Sequence, residues 1–182
     1  MTRIFTILAS VDTLLLFSSY ALGVASKLSA GVKTGHPTFR LHFLLGLSAA
    51  MFTLLVHCLI FTYFLGTGRW VKEVKLAYDL PDAPLPRLTR DLKRTVFPPA
   101  LFAMLIAIAT GAAGAAAQME MWRWEIHATL GTLTLLVNLW AFRIEYCCLR
   151  TNIEVLDDVM REVDRRRTER GLPTNAEALQ EQ

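Results

Sequence analysis

Residues 41–66 read LHFLLGLSAAMFTLLVHCLIFTYFLG, a run of 26 positions without one Asp, Glu, Lys or Arg. At 1.5 Å per residue a helix over this run is about 39 Å long, more than a hydrocarbon core of about 30 Å requires. Mostly apolar runs of similar length occupy 4–26, 97–118 and 126–148. The 182-residue chain, 53% hydrophobic, therefore predicts an all-α polytopic membrane protein. Four transmembrane helices form a bundle over residues 1–150. The first run has Arg3 before it and Val24-Ala25-Ser26 near its end, as a cleaved signal peptide would. Its length and the Asp12 inside it argue for a retained helix.

Orientation follows from the placement of Lys and Arg, because short basic loops stay in the cytoplasm. Arg3, the 67–96 loop and the chain beyond Ile126 carry 15 of the 19 basic residues, and Lys27, Lys33, Arg40 and Arg123 are the remainder. Both termini and the 67–96 loop are expected in the cytoplasm, and the host membrane is expected to be a bacterial inner membrane. The net charge of +3 reflects this flanking pattern and attraction to anionic lipid. Basic residues beside apolar spans, without interleaved exposed aromatics, argue against nucleic acid as a partner. Cys58, Cys147 and Cys148 have no zinc-ligand spacing and read as reduced, structural thiols; a eukaryotic host would leave palmitoylation of Cys147-Cys148 open.

Between the second and third spans, Gly66 to Trp70 marks an exit from the membrane. Pro81, Pro84 and Pro86 interrupt any long helix, and Pro98-Pro99 suit the first turn of the third span. The loop is expected along the lipid surface. Past the fourth span, Ile153, Leu156, Met160 and Val163 recur at helical spacing, predicting a cytoplasmic amphipathic helix over 151–171. Its stripe packs either on the 67–96 loop or on a partner. Residues 172–182 read as a disordered tail.

Each of two helices carries one polar face. His42, Gly46, Ala49, Thr53, His57 and Phe64 share an arc of the second, and His127, Gly131, Thr134, Asn138 and Glu145 share one of the fourth. Ionisable groups facing lipid are costly, so these faces point inward. His42 and His127 each precede a glycine by four residues at the same point of two apolar hairpins, the pattern of a duplicated unit. A pseudo-twofold axis along the membrane normal would set them face to face. Two facing imidazoles can hold haem b through its iron, and Gly46 and Gly131 leave space for the porphyrin face. Hydrogen bonding at the membrane interface is the plainer alternative.

Counted from the cytoplasmic ends, Asp12, His57 and Asn138 lie at similar depth, roughly 12–13 Å in. They form a candidate quinone or proton site, or else a hydrogen-bond cluster that locks the helices. Met104 stands where a His57–Met104 pair could hold a second haem. A copper site of His36, His42 and His127 is a third arrangement, without a Met or Cys cluster to support it. Ala103, Ala107, Gly111 and Ala115 give the third helix a small-residue edge for close packing.

In architecture, with His42/Gly46 and His127/Gly131 as carriers, the helical part resembles four-helix membrane cytochromes of b type, including haem-bearing anchor subunits of respiratory complexes. It is also similar to an uncharacterised bacterial membrane family. The resemblance implies electron transfer between a partner and quinone. Three intramembrane histidines are fewer than the four a two-haem wire uses. The alternative function is a non-catalytic structural or assembly subunit that contacts other membrane or cytoplasmic subunits, or a second copy, through the third helix and the amphipathic extension. No Gly-x-Ser-x-Gly or phosphate-binding loop supports a hydrolase or nucleotide enzyme.

Overall fold

The computed structural model describes residues 1–30 and 37–180. Its elements are α1 (Thr2–Ala30), α2 (Pro37–Tyr78), α3 (Leu85–Gln118), α4 (Trp124–Glu169) and the short α5 (Asn175–Gln180). The protein is all-helical among the described residues, and α1 to α4 are each long and apolar enough to cross a membrane. α1 packs on α2, α2 on α3 and α3 on α4, while α1 closes the ring against α4. α2 and α4 also touch across the centre.

The helices bury most of their polar positions and many small ones, and turn many large apolar side chains outward, although Phe5, Phe64, Phe142 and Leu149 are buried. In the most apolar stretch of each helix only 17–39% of residues are buried. Leu14, Phe17, Phe43, Met51, Phe102, Leu105 and Trp140 are all more than half exposed. A soluble bundle inverts this distribution, because exposed apolar patches of that extent drive association in water. The buried face of α4 follows heptads. Asn138, Glu145, Asn152 and Val159 form one seven-residue series, and Thr134, Ala141, Cys148 and Val155 another. That repeat is the packing of helices crossing at a small angle.

Three helices run further than their apolar spans. α2 passes straight through Gly66 to Trp70 and ends at Tyr78, and the φ of 53° at Asp79 takes the chain into the left-handed region. α3 begins at Leu85, so Pro84 and Pro86 occupy its start and Pro98 and Pro99 lie inside it. The interior prolines cannot donate to the Arg94 and Thr95 carbonyls. The expected surface loop over 67–96 is thus mostly helix, and the turn between α2 and α3 is short. The reason is that the apolar core of the bundle continues past the apolar spans. Val71, Leu80, Leu92 and Val96 pack in one cluster with Val155, Val159 and Val163 of the α4 extension. The amphipathic stripe over 151–171 therefore meets the ends of α2 and α3. Arg166 and Arg167 clamp this end by donating to the Tyr78 carbonyl and hydroxyl at 3.4 and 3.2 Å. α4 continues without a break at residue 150, and 175–180 of the expected tail are helical. On α3, Ala103 and Ala107 are buried, whereas Gly111 and Ala115 face outward.

Candidate functional site

Two polar layers lie inside the bundle. In the first, His42 of α2 and His127 of α4 face each other with ring centroids 6.0 Å apart and planes inclined at 68°. Both are half-buried. His42 Nδ1 lies 2.9 Å from the Ser19 carbonyl and His127 Nδ1 lies 3.0 Å from the Thr110 carbonyl. A carbonyl oxygen only accepts, so each Nδ1 carries the proton and donates. The neutral ring then keeps its lone pair on Nε2. This is the arrangement that fixes ring and tautomer in metal-ligating histidines.

Glycines behind the rings permit the fit. A Cβ at Gly23 would meet His42 Cε1 at 2.9 Å, and one at Gly114 would meet His127 Cε1 at 2.9 Å. Both lie on the helix that also supplies the accepting carbonyl. Ser19-Tyr-Ala-Leu-Gly23 and Thr110-Gly-Ala-Ala-Gly114 thus repeat one pattern, a hydroxyl residue and a glycine four positions on. That repeat was present in the sequence beside the paired His-x-x-x-Gly. Gly46 and Gly131, the glycines expected to leave space for a porphyrin face, instead receive neighbouring helices. A Cβ at Gly46 would lie 3.1 Å from Ser19 Oγ, and one at Gly131 3.6 Å from the Tyr20 ring.

The ring spacing fits a two-imidazole ligand set. Metal–nitrogen bonds of about 2 Å, with about 1 Å from each nitrogen to its ring centre, put the centroids of an axial pair roughly 6 Å apart. Inclined planes are compatible with such a pair, since each ring need only stand upright on the ligand plane. His36 lies outside the described residues, and no group of three His, Cys, Asp or Glu able to hold a metal occurs among the described residues. The donor set at hand is therefore two nitrogens, as an axial haem pair uses.

The second layer lies about 16 Å further along α4, eleven residues on. His57 is fully buried between Glu145 Oε1, 2.6 Å from Nδ1, and Asn138 Oδ1, 3.0 Å from Nε2. Asn138 Nδ2 donates to the Thr134 carbonyl at 2.8 Å, which turns its oxygen toward His57. Nε2 therefore donates to Asn138, and a single remaining proton is shared between Nδ1 and the Glu145 carboxylate. Phe142 stacks on the imidazole at 5.2 Å between centroids. Asp12 is fully buried beside this group and accepts from Thr53 Oγ1 at 3.0 and 2.9 Å through its two oxygens. Asp12, His57 and Asn138 are thus brought into one region, with direct contact between His57 and Asn138.

Glu145 is the partner sequence reasoning left out of the site. Its place seven residues after Asn138, on the same face, was the available signal. Both His57 nitrogens are held by oxygen, so neither is free to ligate a second haem opposite Met104. No protein-family model matches this chain, and comparison with curated proteins and with solved structures finds no match.

Proposed function

We propose that this chain is a membrane-embedded b-type haem protein that serves electron transfer, built from two hairpins related by a pseudo-twofold axis. The observation that carries the reading is the opposition of His42 and His127 at 6.0 Å, with each Nδ1 tied to a main-chain carbonyl. Such an anchor holds Nε2 in the neutral, ligating form and raises its basicity. Gly23 and Gly114 admit the rings, and the carbonyls of Ser19 and Thr110 fix their rotation. Haem supplies a one-electron couple when bound.

The second layer serves as a proton-holding group. His57 and Glu145 share a proton on the Nδ1 side of the ring, Asn138 fixes the ring from the Nε2 side, and Thr53 keeps Asp12 hydrogen-bonded nearby. A quinone at this layer would have to displace contacts that already occupy both His57 nitrogens. The proton role is therefore the better supported of the two. In this reading both termini and the extensions of α2, α3 and α4 lie on the cytoplasmic side, supported by the excess of Lys and Arg at those segments. Partners are lipid and a redox protein or neighbouring subunit.

A dithionite-reduced minus oxidised absorption spectrum of detergent-purified protein, produced with ample haem, tests the reading. Sharp reduced haem bands are expected, and they are lost in both His42→Ala and His127→Ala. A folded protein with a featureless spectrum overturns the cytochrome reading and leaves the structural-subunit alternative.

A further inference from the structure

The His57–Glu145 pair has a partner layer nearer the helical extension. Asn152, seven residues after Glu145 on α4, is fully buried and donates from Nδ2 to Tyr63 Oη at 3.1 Å and Thr67 Oγ1 at 3.3 Å. Tyr63 and Thr67 are only half-buried, so this cluster reaches toward the exterior. Two acceptors remain. Glu145 Oε2 and Asn152 Oδ1 are both buried, and neither has a hydrogen-bond partner among the described residues. Buried acceptors are rarely left unmet, and ordered water with several polar partners is the usual donor. The seven-residue spacing puts the two layers about 10 Å apart along the helix. Buried Ile60 of α2 and Cys148 and Leu149 of α4 fall between them.

We infer that Glu145 Oε2 and Asn152 Oδ1 each bind a water, and that protons reach His57 from the extension end through these waters, across a thin apolar layer of Ile60 and Leu149. Asn152 receives the outer water beside Tyr63 and Thr67. Glu145 receives the inner one. In each transfer one O–H bond of the inner water breaks as one forms on Glu145 Oε2. That water takes a proton from the outer water when the two meet in hydrogen-bond contact across the layer, and the outer water takes one in turn from bulk water at the extension end. The route ends at Asn138. Its amide passes only to the Thr134 main-chain carbonyl, which cannot hand a proton on. The path is therefore a half-channel that loads the His57–Glu145 pair and stops short of the His42–His127 layer.

The inference rests on the proton-holding reading of His57 and Glu145, and one experiment separates the two. Full-length protein with 15N-labelled histidine is placed in lipid nanodiscs and its ring nitrogens are followed by NMR. The His57 nitrogen shifts report whether the pair shares a proton, which tests the underlying reading alone. The exchange rate of the His57 ring protons with water tests the route. Asn152→Leu is expected to slow exchange on the order of tenfold and Leu149→Ala to speed it by a similar factor, with Asn152→Asp close to wild type. Unchanged His42 and His127 signals show that each variant is folded. If Asn152→Leu does not fold, Leu149→Ala and Asn152→Asp carry the comparison. Exchange that is unaffected by these substitutions, or that shifts in the same direction for Asn152→Leu and Leu149→Ala, overturns the route.

Discussion

A Cβ added to Gly114 of α3 would lie 2.9 Å from Cε1 of His127 on α4, so the missing side chain at one residue sets where the other can stand. The neighbour in the way is a ring held by its own hydrogen bond to the Thr110 carbonyl, and it cannot yield without losing that bond. Gly114→Ala is therefore expected to destabilise the bundle by about 1–3 kcal/mol, the usual range for overpacking. Gly66→Ala is the control, because no heavy atom of the described residues outside its own helix turn lies within 4 Å of its Cβ position. There the gain in helix propensity makes the substitution neutral or stabilising by about 0.5–1 kcal/mol. Unfolding in mixed micelles measures both. Equal stability of Gly114→Ala and wild type would show that the close approach is not a constraint.

The buried pair of His57 and Glu145 should be strongly coupled. Leu at either position strands the other group in the core with one partner fewer. Each single change is expected to cost about 3–5 kcal/mol, while replacement of both by leucine costs less than either alone. A double-mutant cycle on unfolding free energy reads the coupling. Costs that simply add would mean that the 2.6 Å contact carries little energy.

The long apolar helices were legible because apolar length is a property of composition, and the inward polar faces because a helix repeats every 3.6 residues. His42 and His127 were paired in the sequence by their shared His-x-x-x-Gly spacing, and their rings stand 6.0 Å apart. Other features depend on the partner helix. Gly23 and Gly114 matter through what lies opposite them, which no pattern on α1 or α3 alone identifies. Glu145 reads as one more polar residue near a membrane edge until α2 brings His57 beside it. The surface loop expected over 67–96 failed for a similar reason. Its prolines and charges describe a local preference, which burial of Val71, Leu92 and Val96 against α4 overrides.

Thr53 supplies the single hydroxyl that meets both oxygens of Asp12. Thr53→Val keeps the shape and removes the donor, leaving a buried carboxyl group without this hydrogen bond. A loss of about 1–3 kcal/mol is expected from the stranded acceptor. Asp12→Leu in the Thr53→Val background should recover much of it, because the two changes together remove both polar partners. No recovery in micelle unfolding would indicate that Asp12 has further partners supporting it.

The helical extension should respond to acid through Glu162. Arg165 donates to its carboxylate from Nη2 at 2.5 Å and from Nε at 2.9 Å, and Arg166 Nε adds a longer contact at 3.3 Å. The Arg165 hydrogen bonds foremost, with Arg166 behind them, hold this carboxyl down from 4.5 to about 2. A carboxylate whose pKa is depressed in the folded state contributes stability that is fully present above the unfolded value. That contribution is lost as pH falls from about 4.5 toward about 2, where the folded state also takes up the proton. Glu162→Gln should therefore lower the thermal midpoint at pH 7, and the difference from wild type should close as pH approaches 2. The group is largely solvated, so the effect is small and high salt should shrink it further. Circular dichroism melts of both proteins across pH 2–7, with and without added salt, follow the difference directly. A gap between the two midpoints that stays constant to pH 2 would mean that Glu162 acts through helix packing and not through its charge.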